Sequence, residues 1–333
     1  MKTVFLAFSL ALTVTYLSSC GDKKSASIEI IPRAQYIDYD VSEFSRLTTP
    51  SPYEKENPFA LLVNNQGGEV RSCTSTLLTS GYVLTNAHCI HRLNSNKIVS
   101  PDNLYLFFRN LGDEEESVFK IKQVIAQSYK RLDTRKAENE FPALSPAENK
   151  ADFQRYSLNA FKNEHDWAVL ELENPSQALS RFKGIDGFDE STFDYKNFAD
   201  EVLSGKNMMT FHAIDPYAVV DGDRYKGKFK LRIVEHSLDL FFLKEYRKIF
   251  TEAGDDIDLA NVKTLEKFKS FPINSNLGRG GNSGSAIIFE GEVIGVLKSN
   301  ITAEICRNYI CTGTDVINLF FNESSDLHEF MIP

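Results

Sequence analysis

The sequence predicts an all-β domain, because its apolar residues fall in short runs that turn residues separate. Phe59 to Val63 is one such run, and Leu104 to Phe108 is another. Between them, Cys73 to Leu78 and Tyr82 to Leu84 flank Thr79-Ser80-Gly81, a composition typical of a hairpin turn. With 42% hydrophobic residues and 25 Phe, the chain has enough apolar side chains for a sizeable core.

The rest of the chain continues this pattern of strands, with two interruptions. Further strands are predicted at Val118–Ile125, Asp166–Leu172, Met208–Ile214, Lys228–Val234, Ser285–Phe289 and Glu292–Leu297. Residues 128–163 are polar and contain two prolines, and a loop of this length is either functional or an inert surface excursion, which we favour. Residues 239–251 carry apolar residues at helical spacing and are predicted as an amphipathic helix within a second insertion, 239–270.

The segment Gly280-Gly281-Asn282-Ser283-Gly284-Ser285 has the strongest chemical signature. A serine between glycines, directly before an apolar run, is typical of a hydroxyl held on a tight loop ahead of a buried strand. Glycine permits unusual backbone angles and the close approach of a ligand. In such a loop the N–H groups of Gly281 and Ser283 can converge on one point as an oxyanion hole. Gly/Ser turns before strands are common, so the motif gains its meaning from segments upstream.

Two upstream segments supply a histidine and an aspartate. His88 stands in Leu84-Thr85-Asn86-Ala87-His88-Cys89, and Asp166 opens the strand that begins His165-Asp166-Trp167. The chain order His, Asp, Ser differs from the orders of subtilisin and of the α/β-hydrolases. The three segments resemble the motifs of the chymotrypsin-fold (trypsin-like) serine proteases, and the Gly-Asn-Ser-Gly-Ser form is most similar to the bacterial glutamyl-endopeptidase branch.

The resemblance implies a fold and an activity. The fold is two antiparallel six-stranded Greek-key barrels with helical and loop insertions, in one protease domain over residues 58–333. Ser283 is then the nucleophile, His88 the general base and acid, and Asp166 the residue that orients His88. The protein is expected to be a serine endopeptidase that forms an acyl-enzyme with a protein or peptide substrate and needs no cofactor or metal. A catalytically silent member that only binds, and an esterase with the same triad, stay open as alternatives.

The resemblance also marks candidate substrate-binding residues. Leu277 stands where trypsin has an acidic residue, so a preference for basic side chains is not expected. Leu297 stands where glutamyl endopeptidases have a pocket histidine, which puts glutamate specificity in doubt. Lys298 either attracts an acidic substrate side chain or is an exposed charge on the rim, which we favour.

Cysteine usage indicates an oxidising compartment. Apart from Cys20, the chain has Cys73, Cys89, Cys306 and Cys311, an even number that permits three pairings. The resemblance implies Cys73–Cys89 beside the histidine, which leaves Cys306–Cys311 to close a short loop; reduced buried thiols are the alternative. No Cys-x-x-Cys pair is present, so a zinc site is not expected.

The N-terminus is predicted to be a lipoprotein signal peptide over residues 1–19. Lys2 precedes an apolar run, Val4 to Leu17, which is shorter than the about 20 residues of a transmembrane helix. Leu17-Ser18-Ser19-Cys20 resembles the lipobox of bacterial lipoproteins, with Cys20 as the lipidated residue and 20–57 as tether and N-terminal extension. We therefore expect a lipid-anchored protein of the bacterial cell envelope, facing the periplasm or at the cell surface. An ordinary cleaved signal is the alternative.

The charge balance bears on partners. The formal net charge is −9, which argues against nucleic acid as a partner and says little about fold. The expected contacts are a peptide substrate and, through the anchor, a membrane. We expect a monomer.

Overall fold

A computed structural model of the chain describes residues 35–40, 56–66, 69–92, 97–110, 117–130, 163–204, 209–215, 219–221, 224–226, 230–236, 267–273, 281–300, 315–322 and 325–332. All of them lie within one unit, Arg33–Pro333. In these ranges, no helix has the length and apolar character needed to cross a membrane.

Strands dominate the described residues. In chain order they are β1 (Gln35–Asp40), β2 (Phe59–Gln66), β3 (Glu69–Leu77), β4 (Tyr82–Thr85), β5 (Leu104–Phe108), β6 (Ser117–Lys130), β7 (His165–Leu172), β8 (Asp186–Gly187), β9 (Met209–Asp215), β10 (Val219–Asp221), β11 (Arg224–Lys226), β12 (Lys230–His236), β13 (Ser270–Ile273), β14 (Ala286–Phe289), β15 (Glu292–Asn300) and β16 (Asp315–Leu319). Helices cover Ala87–Ile90, Pro175–Arg181, Tyr195–Ser204 and Ser325–Met331, with 3-10 turns at Pro101–Asn103 and Phe320–Asn322.

Strands β2 to β7 close into an antiparallel barrel in the order β2-β3-β4-β7-β6-β5. Alternate residues of β2 pack on opposite sides: Ala60 and Leu62 join the core of this barrel, whereas Phe59, Leu61 and Val63 join the core shared with the second sheet. Because β2 is buried on both faces, its sequence is a continuous apolar run rather than an alternating one. The strands predicted for this half of the chain are confirmed.

The second half forms a half-barrel. Its strands neighbour each other in the order β1-β12-β9-β14-β15-β16-β13, and β8 pairs in parallel with β15. The closed barrel and this half-barrel match the predicted chymotrypsin-like two-barrel fold. In the described residues, the second sheet ends at β1 and β13, which do not pair with each other.

The N-terminal extension contributes an edge strand to this sheet. β1 pairs antiparallel with β12, with Tyr36 opposite Val234 and Tyr39 opposite Leu231. Strand β6 runs to Lys130 and so occupies the first residues of the predicted 128–163 loop. The rest of that loop, the predicted helix at 239–251 and the predicted signal peptide lie outside the described residues.

Candidate active site

His88 is positioned by the pairing of β4 with β7. The two strands are antiparallel, with Thr85 opposite Ala168, so the end of β4 lies beside the start of β7. The chain then turns through Asn86 into the one-turn helix Ala87–Ile90. Asn86 Nδ2 donates to the backbone oxygen of Asp166 at 2.5 Å, which ties this turn to β7. Residues far apart in sequence, His88 and Asp166, are thereby brought together.

Asp166 holds His88 through both carboxylate oxygens. The backbone N–H of His88 donates to Oδ1 at 2.9 Å, and its ring Nδ1 lies 2.5 Å from Oδ2. Burial by itself raises the pKa of the Asp166 carboxyl, but the charge of His88 and its hydrogen bonds outweigh burial, so the pKa lies below its usual value. An ionised carboxylate can only accept, so Nδ1 carries the proton and Nε2 keeps its lone pair.

The predicted disulfide Cys73–Cys89 is confirmed. It joins β3 to the helix that carries His88, across a Cα–Cα distance of 6.1 Å. Ligand atoms of Cys73, His88 and Cys89 lie within 4.8 Å of one another, but the two sulfurs are bonded to each other and are not free to bind a metal. The predicted pair Cys306–Cys311 lies outside the described residues.

The serine loop is fastened to the first barrel by Thr74. The backbone N–H of Thr74 donates to the oxygen of Ser283 at 2.9 Å, and its hydroxyl donates to the oxygen of Gly281 at 3.1 Å. At Gly284, where φ is +84°, a Cβ would lie 2.3 Å from the Thr74 oxygen and 2.4 Å from Thr85 Oγ1. Only glycine fits this position, because both the backbone angle and the space exclude a side chain.

The same contacts fix the backbone of Ser283 at β3, one residue from the disulfide that reaches the His88 helix. Thr74 bonds Ser283, and its neighbour Cys73 is covalently joined to Cys89, the neighbour of His88. Ser283 is partly exposed, and within the described residues its hydroxyl makes no hydrogen bond. His88 Nε2 has Cys89 Sγ at 3.7 Å. Among the described residues, no hydrogen bond joins Ser283 Oγ to His88, and such a bond often forms only when substrate binds.

The predicted oxyanion donors are Gly281 N–H and Ser283 N–H. Gly281 has a φ of 94°, and in the described part of the chain neither N–H donates a hydrogen bond. The next N–H groups are used: Gly284 donates to the oxygen of Leu297 at 2.9 Å, and Ser285 donates to the oxygen of Asn282 at 3.1 Å. Within the described ranges, two N–H groups on one tight loop therefore have no acceptor, which suits them to bind an anionic oxygen.

The candidate specificity residues have different outcomes. Leu277 lies outside the described residues. Leu297 is buried, and its backbone pairs with the serine loop. The interpretation of Lys298 as an exposed rim charge is wrong, because Lys298 is 5% exposed and its Nζ contacts Oε2 of Glu164.

Two contact residues were not foreseen from the sequence. Thr74 holds the serine loop, and the only signal for it is its position next to Cys73. Glu164 pairs with Lys298, and nothing in its local sequence distinguishes it from a surface acid.

Comparisons with known proteins add a family match. The model of the Trypsin family matches residues 48–191, a range that includes His88 and Asp166 and ends before Ser283. The chain is similar to the solved structure of the scabies mite inactivated protease paralogue S-D1, at 12% identity over 84% of this chain and 96% of that chain, with a TM-score of 0.45. It is also similar to a structure described as GrC, at 13% identity over 88% of this chain and 98% of that chain, with a TM-score of 0.46. A third similar structure is that of neuropsin, a serine protease expressed in the limbic system of mouse brain. Its identity is 13% over 84% of this chain and 97% of that chain, with a TM-score of 0.40. Likenesses with TM-scores below 0.5 say nothing of activity, and no curated protein matches the chain.

Proposed function

We propose that the chain contains a trypsin-family domain, which the match of residues 48–191 to the Trypsin family model supports, and that it is a serine endopeptidase. The observation that carries this proposal is the contact of His88 Nδ1 with Asp166 Oδ2 at 2.5 Å. A buried, ionised carboxylate that fixes the proton on Nδ1 leaves Nε2 as a base. Such an arrangement is useful where a proton must be taken from a nearby hydroxyl. The proposal assigns that hydroxyl to Ser283, whose backbone is bonded to Thr74, the neighbour of Cys73 in the disulfide to Cys89.

The proposed reaction proceeds through an acyl-enzyme. Ser283 Oγ attacks the scissile carbonyl carbon while its proton passes to His88 Nε2. The carbonyl oxygen becomes an oxyanion, which the N–H groups of Gly281 and Ser283 stabilise by typically about 2.7–4 kcal/mol per donor. The C–N bond then breaks as His88 returns its proton to the leaving amine. Water, deprotonated by His88, hydrolyses the resulting ester and regenerates Ser283.

The proposal is tested by fluorophosphonate labelling of the purified protein. Wild type is expected to label, and Ser283→Ala is expected not to. Ser285→Ala is a matched control in the same loop: it loses the hydroxyl contact to Asn282 oxygen at 2.6 Å but keeps the backbone N–H contact, and it should still label. Labelling of Ser283→Ala would overturn the assignment of the nucleophile. A folded wild type that does not label would favour the silent binding alternative, and turnover of esters but not peptides would favour an esterase.

We also propose that the protein is anchored through Cys20 in a bacterial envelope, on the strength of the lipobox-like segment. The residues concerned lie outside the described part of the chain. Palmitate incorporated in wild type should be absent from Cys20→Ala, and label that persists in the variant would contradict the anchor. Glutamate specificity is not proposed, because Lys298 already pairs with Glu164.

A further inference from the structure

The disulfide Cys73–Cys89 lies against the ring of His88. Cys89 Sγ is 3.7 Å from His88 Nε2, and the ligand atoms of Cys73, Cys89 and His88 all lie within 4.8 Å of one another. Both cysteines are buried, whereas the side chain of His88 is 28% exposed. The two sulfurs are thus shielded from solvent, while the ring beside them reaches it.

These three atoms have the chemistry and the spacing of zinc ligands. Zinc prefers thiolate sulfur at about 2.3 Å and imidazole nitrogen at about 2.0–2.1 Å, in a tetrahedral arrangement. At those bond lengths, the 3.7 Å between Cys89 Sγ and His88 Nε2 corresponds to an N–Zn–S angle of about 115°, close to the tetrahedral angle. Two thiolates on one zinc lie about 3.8 Å apart, a separation that the 6.1 Å between the Cα atoms of Cys73 and Cys89 permits.

Asp166 holds the ring of His88 in the orientation that a zinc ligand needs. Nδ1 lies 2.5 Å from Oδ2 of Asp166 and carries the proton, so Nε2 presents its lone pair. A histidine that binds zinc through one ring nitrogen almost always donates the N–H of the other to a carboxylate, a backbone carbonyl or water. The contact that suits His88 to act as a base therefore also suits it to bind a metal.

We propose that reduction of the disulfide by a dithiol creates a zinc site of Cys73 Sγ, Cys89 Sγ and His88 Nε2, and that zinc bound there blocks the base. In the exchange, the dithiol gives two electrons and two protons to the S–S bond and becomes a disulfide itself, which leaves Cys73 and Cys89 as thiols. Zn²⁺ then displaces the two thiol protons into water and accepts the lone pair of Nε2. Water takes the fourth position, as in other zinc sites with three protein ligands.

Zinc on Nε2 occupies the lone pair that would accept the proton of Ser283. This effect on activity rests on the proposed function, in which His88 is the base, whereas the metal site rests on the positions of its three ligands. Reduction alone leaves the lone pair in place, so reduced protein that stays folded should remain active without metal. Zinc should therefore inhibit the reduced protein far more strongly than the oxidised protein.

The test is a titration of the full-length protein with Co²⁺, a spectroscopic substitute for zinc, after reduction by a phosphine. A phosphine is used because a dithiol would itself bind the metal; it takes an oxygen atom from water as it reduces the disulfide to two thiols. Reduced protein should develop the charge-transfer absorption of cobalt–thiolate bonds and the visible bands of tetrahedral cobalt, and Zn²⁺ should remove both. Folded, reduced protein without a thiolate band would overturn the proposal.

The remaining cysteines need a control of their own. Cys73→Ser combined with Cys89→Ser keeps Cys20, Cys306 and Cys311, so its spectrum after reduction shows what those thiols contribute. The thiolate band of wild type should exceed that of this variant. Equal bands in the two proteins would overturn the proposal.

Three single variants test the histidine ligand. Asp166→Asn should weaken cobalt binding by about 10–100-fold, the usual effect of losing a carboxylate behind a metal-binding histidine, and His88→Gln should weaken it further. His91→Gln is the matched control, because it removes a histidine two residues from Cys89 whose Nε2 lies 2.7 Å from Gln127 Oε1. It should bind cobalt as wild type does, and losses as large as that of His88→Gln would overturn the assignment.

Circular dichroism follows the folding of each reduced protein. If reduction unfolds wild type, zinc should restore its strands, because a metal that binds the folded state stabilises it; protein that stays unfolded with zinc would overturn the proposal.

Fluorophosphonate labelling separates this proposal from the proposed function. Zinc should abolish the labelling of reduced wild type and a chelator should restore it, so labelling that persists with metal bound would contradict a blocked base. An oxidised wild type that does not label would refute the proposed function, and the cobalt spectrum would still decide the metal site.

Discussion

Replacement of Asp166 by asparagine separates the two contacts that the carboxylate makes with His88. Each carboxylate oxygen accepts one hydrogen bond, from the backbone N–H at 2.9 Å and from Nδ1 at 2.5 Å. Asparagine has one accepting oxygen and one donating nitrogen. If its oxygen faces the backbone N–H, its amide nitrogen donates to Nδ1, and the imidazole proton must then sit on Nε2. If it is turned over, two N–H donors face each other at the His88 backbone.

The expected loss of kcat follows from this change of the His88 tautomer. With its proton on Nε2, His88 cannot accept the proton of Ser283. The corresponding change in serine proteases lowers kcat by about 10⁴, or about 5.4 kcal/mol at 1.36 kcal/mol per tenfold. One buried group left without its hydrogen bond costs about 1–3 kcal/mol in the free energy of unfolding. We therefore expect Asp166→Asn to fold and to lose about four orders of magnitude in kcat.

The assay is peptide hydrolysis at pH 7, with urea unfolding to confirm that each variant is folded. Asp186→Asn is the control, because it makes the same substitution at an exposed side chain that accepts from Thr79 Oγ1 at 2.9 Å. Its kcat should equal that of wild type. A folded Asp166→Asn protein that keeps more than about a tenth of the wild-type kcat would refute the reasoning, since control of the tautomer accounts for far more than tenfold.

Three further predictions concern stability. Gly284→Ala places a Cβ 2.3 Å from the Thr74 oxygen at a φ of +84°. Backbone strain alone should therefore lower the free energy of unfolding, measured in urea, by about 1–3 kcal/mol. A variant as stable as wild type would contradict this contact. Replacing Cys73 and Cys89 by serine removes a disulfide between residues 16 apart and should lower the free energy of unfolding by about 3 kcal/mol. Urea titrations of wild type and the variant would measure this difference. Equal stabilities would count against the predicted stabilisation. Burial lowers the pKa of His212 to about 3, whereas the pKa of an unfolded histidine is about 6.5. The unfolded state therefore binds the proton first, and stability is lost as the pH falls from about 6.5 toward about 3. Between pH 7 and pH 5 this loss is about 2 kcal/mol, and it should be absent from His212→Phe; an unchanged pH slope in that variant would be the contrary result.

The first barrel could be predicted from sequence because its strands are buried on one or both faces. Burial produces apolar runs whose ends coincide with turn residues, as at β5, where the predicted and observed bounds are both Leu104–Phe108. Gly81, with a φ of 85°, stands in the turn between β3 and β4 where a hairpin was expected. The His88–Asp166 contact follows from the resemblance and is consistent with the pairing of β4 and β7.

Long-range partners could not be predicted in the same way. A lysine is exposed in most proteins, but Lys298 is buried and contacts Glu164, which lies 134 residues away in the sequence. Thr74 acquires its role from a contact 207 residues away. β1 joins the edge of β12, a choice of partner that the alternation of residues within either strand does not specify.

The attachment of the serine loop to Thr74 has a consequence for how the protein would be inactivated. Ser283 is covalently part of the second half of the chain, yet its loop is fastened to β3 of the first barrel. The two halves therefore cannot move apart without breaking the hydrogen bonds that hold the serine loop to Thr74. Separation of the halves is a smaller event than unfolding either one, and local openings of this kind precede global unfolding. Mild heating or dilute urea should thus abolish the proposed activity while the strands are still intact, and the loss of that activity would report the separation of the two halves.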